Sequence, residues 1–83
     1  MEDLRNVIVV ITVEKRTDTA PTLQQVLTNH GCEIRTRIGL HAEGCSERGI
    51  IVLHVYSGTA GVESLTRDLE GLDGIRVNQV TVD

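Results

Sequence analysis

Cys32, His41, Cys45 and His54 carry the side chains of this sequence best suited to hold a metal. Imidazole with thiolate is the donor set of nickel, copper or zinc. His41 and Cys45 lie four apart in one polar segment, with Cys32 and His54 on the flanking elements. That spacing falls short of a paired-ligand motif, and a solvated His41 with a small loop Cys45 explains the same residues. The expectation is no resident metal or cofactor. A metal-sensing or metal-handling module using His41 and Cys45 stands as the alternative.

A second group is anionic in its preference. Arg37, with Gly39 and Leu40, reads as one wall of a ligand pocket at a subunit interface, since Arg favours bidentate contacts with carboxylate or phosphate. The plainer reading makes Arg35 and Arg37 exposed cations that guard an edge strand against aggregation. Gly58 and Gly61 precede a helix as in a phosphate loop, but no Lys follows, and a turn is the better reading. His30 falls in the last turn of a helix, where it would meet exposed carbonyls. No Ser-His-Asp or Cys-His order stands out, so a non-enzymatic domain is expected.

The element that must position these groups is residues 7–13, VIVVITV. Every residue in it is β-branched, which disfavours a helix. Strand side chains alternate between faces, so this strand is apolar on both and belongs in the middle of a sheet. After a polar turn, a helix is expected over 17–30, with Pro21 in its first turn and Gly31 past its end. A second strand over 32–41 alternates Cys32, Ile34, Thr36 and Ile38 with Glu33, Arg35 and Arg37, the pattern of an edge strand with a charged face. Residues 42–49 (AEGCSERG) read as a loop between antiparallel strands. A third strand over 50–56 is again apolar on nearly both faces. Val62, Leu65, Leu69 and Leu72 mark the stripe of a second helix, ended by Gly71 and Gly74. The fourth strand, 75–82, has an alternation that slips between Val77 and Val80. A bulge near Asn78 and Gln79 is expected there.

This β-α-β-β-α-β order predicts an α+β, ferredoxin-like sandwich over residues 1–83: a four-stranded antiparallel sheet of order 4-1-3-2 with two helices on one face. The doubly apolar strands are the two that this topology makes central. Nothing remains in the chain to cover the other face. If Val7, Val9, Ile11, Val13, Ile51, Leu53 and Val55 meet the helices, then Ile8, Val10, Thr12, Ile50, Val52, His54 and Tyr56 look outward, flanked by Glu33, Arg35 and Arg37. An apolar centre with a charged margin is an interface composition. A homodimer or homotetramer is expected, made through Ile8, Val10, Thr12, Val52, His54 and Tyr56 or through a free sheet edge.

Composition bounds the partners. Eighty-three residues give one small core. Tyr56 is the sole aromatic, so that core is built from Val, Ile and Leu. The net charge is −4 with scattered basic residues, against direct nucleic-acid binding. No apolar run reaches membrane-spanning length and no signal peptide is expected. Two cysteines suit reduced thiols in a cytoplasm, a Cys32–Cys45 disulfide being the alternative.

The segments 7–14 (VIVVITVE), 34–40 (IRTRIGL), 49–55 (GIIVLHV) and 72–80 (LDGIRVNQV) together resemble the iron-only hydrogenase system regulators, small ferredoxin-like bacterial proteins related to the ACT domain. The resemblance spans nearly the whole chain and implies a bacterial, cytoplasmic, regulatory protein. The wider ACT resemblance implies a small-molecule effector at a subunit interface, beside the turn after the first strand. The turn here, 15–18 (KRTD), lacks the Pro-Gly pair usual in ACT domains. The chain also looks somewhat like the metal-binding domain of the nickel-responsive regulators, without their closely spaced His pair. The reading that follows is a non-enzymatic ACT-like regulatory or ligand-sensing domain acting as a homo-oligomer, with a purely structural protein-interaction domain as a further alternative.

Overall fold

The computed structural model describes residues 3–14, 16–41 and 49–83, with the backbone alone at 16–20 and 41. The elements run β1 (Arg5–Val13), α1 (Arg16–Asn29), β2 (Ile34–His41), β3 (Gly49–Ser57), α2 (Thr59–Glu70) and β4 (Ile75–Thr81). They form one antiparallel sheet of order β2-β3-β1-β4. This is the ferredoxin-like α+β arrangement, with the two doubly apolar strands, β1 and β3, at its centre.

The core follows from strand parity. Val7, Val9, Ile11 and Val13 of β1 are buried, and so are Leu53 and Val55 of β3. Leu23 and Leu27 of α1 and Val62, Leu65 and Leu69 of α2 close over them. Aliphatic side chains make up this cluster, so its cohesion comes from removing apolar area from water, at about 25 cal/mol per Å². Ile75 and Val77 of β4 pack against its edge. Gly74 enters β4 at φ 74°, a left-handed conformation that disfavours any side chain, and its carbonyl accepts the Glu14 N–H at 2.9 Å.

Three expectations need correction. Pro21 falls in the second turn of α1, because the helix begins at Arg16. The ladder between β1 and β4 is regular from Val7↔Thr81 to Val13↔Ile75, so no bulge lies at Asn78 or Gln79. Their neighbours Val80 and Val82 simply point away from the helices and are 65% and 60% exposed. The irregularity belongs to β2 instead. Ile34 pairs with Val55 and Thr36 with His54, leaving Arg35 as the extra residue.

The His30 ring does not serve the end of its own helix. It is buried at 8% exposure, and its Nε2 lies 2.8 Å from Asp68 Oδ2. That contact ties the end of α1 to α2.

Candidate functional site: the uncovered face of the sheet

The bulge at Arg35 decides what the second strand shows to each side. Directly opposed residues of an antiparallel pair share a face. Arg37 opposes the fully buried Leu53, so it lies on the helix side, as does Gly39 opposite Ile51. Thr36, Ile38 and Leu40 oppose His54, Val52 and Ile50, and therefore face the other way. Ile38 and Leu40 are 52% and 50% exposed.

The far face is consequently a grid of cross-strand rows. Asn78, Val10, Val52 and Ile38 form one row; Val80, Ile8, His54 and Thr36 form the next; Arg76, Thr12, Ile50 and Leu40 form a third. Ile8, Val10, Thr12, Val52, His54 and Tyr56 are each half-buried, while Ile50 and the outer-strand apolar residues are exposed. No described segment lies over them. In the three rows the charged residue is Arg76, at one corner. Arg35 adds a second cation at the margin, with its guanidinium carbon 5.4 Å from the Tyr56 ring centre.

The histidine within the grid is already partnered. Asn6 Nδ2 donates to Asp83 Oδ1 at 2.6 Å, which leaves Asn6 Oδ1 as an acceptor. His54 Nε2 sits 2.8 Å from that oxygen and so carries the proton. His54 bonds within its own chain rather than waiting for a partner. A polar group satisfied in this way costs much less to bury.

The expected ligand residues divide between the two sides. Arg37 and Gly39 share the helix-side face, and Leu40 belongs to the grid, so the three do not line one pocket within a single chain. Arg37 donates to Gln24 Oε1 on α1. With Leu27, Thr28, Gly31 and Ile34 it borders a cleft of about 330 Å³ where α1 stops short of the sheet edge. Nothing lies within 4 Å of where a Cβ on Gly39 would be. Of the margin expected at Glu33, Arg35 and Arg37, Arg37 is thus turned to the helices, and so is Glu33, whose Cγ lies 3.6 Å from where a Cβ on Gly61 of α2 would be.

Cys45 and the His41 side chain lie outside the described residues, and Cys32 is an exposed free thiol. Among the described residues, no three His, Cys, Asp or Glu side chains gather as a metal site. No helix among them is long and apolar enough to cross a membrane. Sequence reasoning omitted Ile38, Leu40, Val80 and Val82 from the outer face. The signal for the last two was present, since an unbroken β4 puts even-numbered residues beside Ile8. For Ile38 and Leu40 the bulge was required.

No family model matches the chain, and no curated protein matches it. Solved structures do. An uncharacterized protein from Thermotoga maritima superimposes with a TM-score of 0.89 at 25% identity, over 98% of this chain and 100% of that one. The C-terminal domain of the MgtC protein from Mycobacterium tuberculosis gives 0.71 at 15% identity, over 98% and 93%. CPII, a nitrogen regulatory PII-like protein from Thiomonas intermedia bound to ADP, AMP and bicarbonate, gives 0.59 at 15% identity, over 98% and 97%.

Proposed function

We propose that this chain is a non-enzymatic regulatory domain that senses a small molecule and works as a homo-oligomer, two copies pairing through the uncovered sheet face. The observation that carries the proposal is the grid of Val10, Val52, Ile38, Ile8, Ile50 and Leu40, contiguous across the strands and nearly free of charge. Soluble monomers rarely expose an apolar patch of that extent. Four strands of this length span a footprint of about 19 by 25 Å at the usual strand and residue spacings. Side-chain relief enlarges the accessible area beyond that. Pairing two such faces approaches the roughly 600–1,000 Å² per partner of a small stable interface.

The sensing part rests on likeness of fold. CPII shows this fold in a regulatory protein bound to nucleotides and bicarbonate, a likeness of fold rather than of site. The resemblance of segments 7–14, 34–40, 49–55 and 72–80 to the iron-only hydrogenase system regulators supports that system as the regulated target. Deleting the gene in its host and measuring iron-only hydrogenase transcripts tests this part, which unchanged levels would remove.

Light scattering tests the assembly. The wild-type protein should show a mass that is an even multiple of 9.1 kDa at tens of micromolar. Val10→Asp, at the centre of the grid, should give a folded monomer, because one buried unpaired carboxylate per copy outweighs the apolar gain. A wild-type mass of one chain would end the reading. A thermal-shift screen over amino acids and nucleotides tests sensing, since a ligand that binds only the folded state raises the melting temperature.

A further inference from the structure

His54 stands in the middle of the uncovered face, half-buried on a central strand. Ile8 on β1 and Thr36 on β2 oppose it, Val80 lies beyond Ile8, and Val52 and Tyr56 flank it along β3. Within the three rows it is the one residue whose type changes charge between about pH 5 and 8.

The hydrogen bonds around the ring select its neutral form. Nε2 donates to Asn6 Oδ1 at 2.8 Å, and Asn6 is held in that orientation by its own Nδ2, which donates to Asp83 Oδ1 at 2.6 Å. The other ring nitrogen, Nδ1, is then an acceptor. A proton added there makes the ring a cation with a second N–H to satisfy.

The surroundings offer such a cation little. On its own strand the neighbouring titratable group is the Tyr56 phenol. From β2 comes Arg35, whose guanidinium carbon lies 5.4 Å from the Tyr56 ring centre. β1 brings Asn6, Ile8 and Val10, all without charge. Beyond β1, Asp83 reaches the ring only through Asn6, and Arg76 stands at the far corner of the grid. Asp83 draws a proton toward the ring and Arg35 repels it, but neither bonds to it. Among the described residues no carboxylate pairs with His54.

Pairing two copies through this face sets the partner's apolar rows against the ring. A neutral imidazole whose N–H is already given to Asn6 enters such an interface at small cost. A cation without a counter-charge loses its water there and gains nothing in return.

We propose that His54 makes the pairing pH-sensitive: copies join through this face with the imidazole neutral, and acid separates them. This switch rests on the pairing proposed above and is its regulation. By linkage, pairing releases protons, so it is strongest above the imidazole range and is lost as pH falls through that range. The Kd rises by up to about tenfold per pH unit for each of the two imidazoles in a pair. General electrostatics acts in the opposite direction. The chain carries −4 at neutral pH, so acid lowers the repulsion between copies. The other imidazole of the described side chains, His30, lies on the helix side against Asp68, away from the paired face.

Sedimentation equilibrium at constant ionic strength gives the Kd of the pair at about pH 8 and about pH 5.5, spanning the imidazole range. Circular dichroism checks the fold at both. The wild-type Kd should rise at least about tenfold in acid. His54→Gln places an amide nitrogen near the position of Nε2 and takes up no proton. It should pair at the higher pH and hold the same Kd at the lower. The reciprocal measurement needs no variant. Followed by NMR, the His54 ring protons should titrate at lower pH in concentrated, paired protein than in dilute single chains. Equal Kd at the two pH values, an equal rise in His54→Gln, or a titration midpoint independent of concentration in protein that pairs would overturn the switch and leave the pairing standing. A single-chain mass at both pH values would remove the pairing, and the switch with it. If His54→Gln does not fold, the wild-type titration decides alone.

Discussion

Ser57 and Gly61 compete for one space, and the competition can be measured without any ligand. Gly61→Ala gains up to about 1 kcal/mol of helix propensity but sets a methyl against Ser57 Oγ. The clash should win, for a net loss of about 1 kcal/mol. In a Ser57→Ala background the Oγ contact is gone while the tighter-than-usual 3.3 Å approach to the residue 57 Cβ remains, so the same change should cost clearly less than in the wild type. Urea denaturation of the four proteins closes the cycle; a coupling near zero would show that the hydroxyl is not what demands glycine. His30 gives a second test at this scale. His30→Ala removes a buried ring and its bond to Asp68, and should cost about 2 kcal/mol. Asp68→Asn should cost far less, because Asp68 is 51% exposed and its amide can still accept. Equal losses in the two variants would place the energy in the charge rather than in the packed ring. Neither contact was legible beforehand. Ser57 meets Gly61 only because of how the chain turns from β3 into α2, and His30, read as a helix-end residue, meets a partner 38 residues away.

At the scale of elements, the sequence carried most of the architecture and missed one residue of register. A continuous β-branched run in β1 and the apolar β3 dictate central strands, since no wet edge tolerates both faces apolar. The stripe Val62, Leu65 and Leu69 dictates α2. In β2 the regular alternation of Ile34, Thr36, Ile38 and Leu40 reads as one face, yet Ile34 packs toward the core and the other three point away. A bulge shifts parity without marking the sequence, so periodicity alone could not find it. The register predicts unequal deletions. Removing Arg35 leaves Ile34 opposite Val55 and the following residue opposite His54, so the ladder becomes regular and stability should fall by no more than about 1 kcal/mol. Removing Arg37 instead inverts Ile38, Gly39 and Leu40, and should cost several times as much. Comparable denaturation midpoints for the two deletions would refute the assigned bulge.

At the scale of the molecule, the two layers are unequal. The helices shelter one side of a four-stranded sheet whose central strands are apolar on both. Pairing of copies would make folding and assembly one equilibrium, and thermal stability would then depend on protein concentration. A tenfold increase raises the stability of each chain in a dimer by about 0.7 kcal/mol, which for a domain of this length moves the melting temperature by about 3–6 °C. The shift should appear in the wild-type protein between 5 and 50 µM, taken as roughly a decade of concentration. It should vanish in Val10→Asp and in Val52→Asp, whose side chains oppose one another in the central row. Gln24→Ala, which removes the Arg37 contact on the helix side, should keep the full concentration dependence even if it lowers the melting temperature. A wild-type melting temperature independent of concentration would mean that one chain holds its fold with the Val10 face in water.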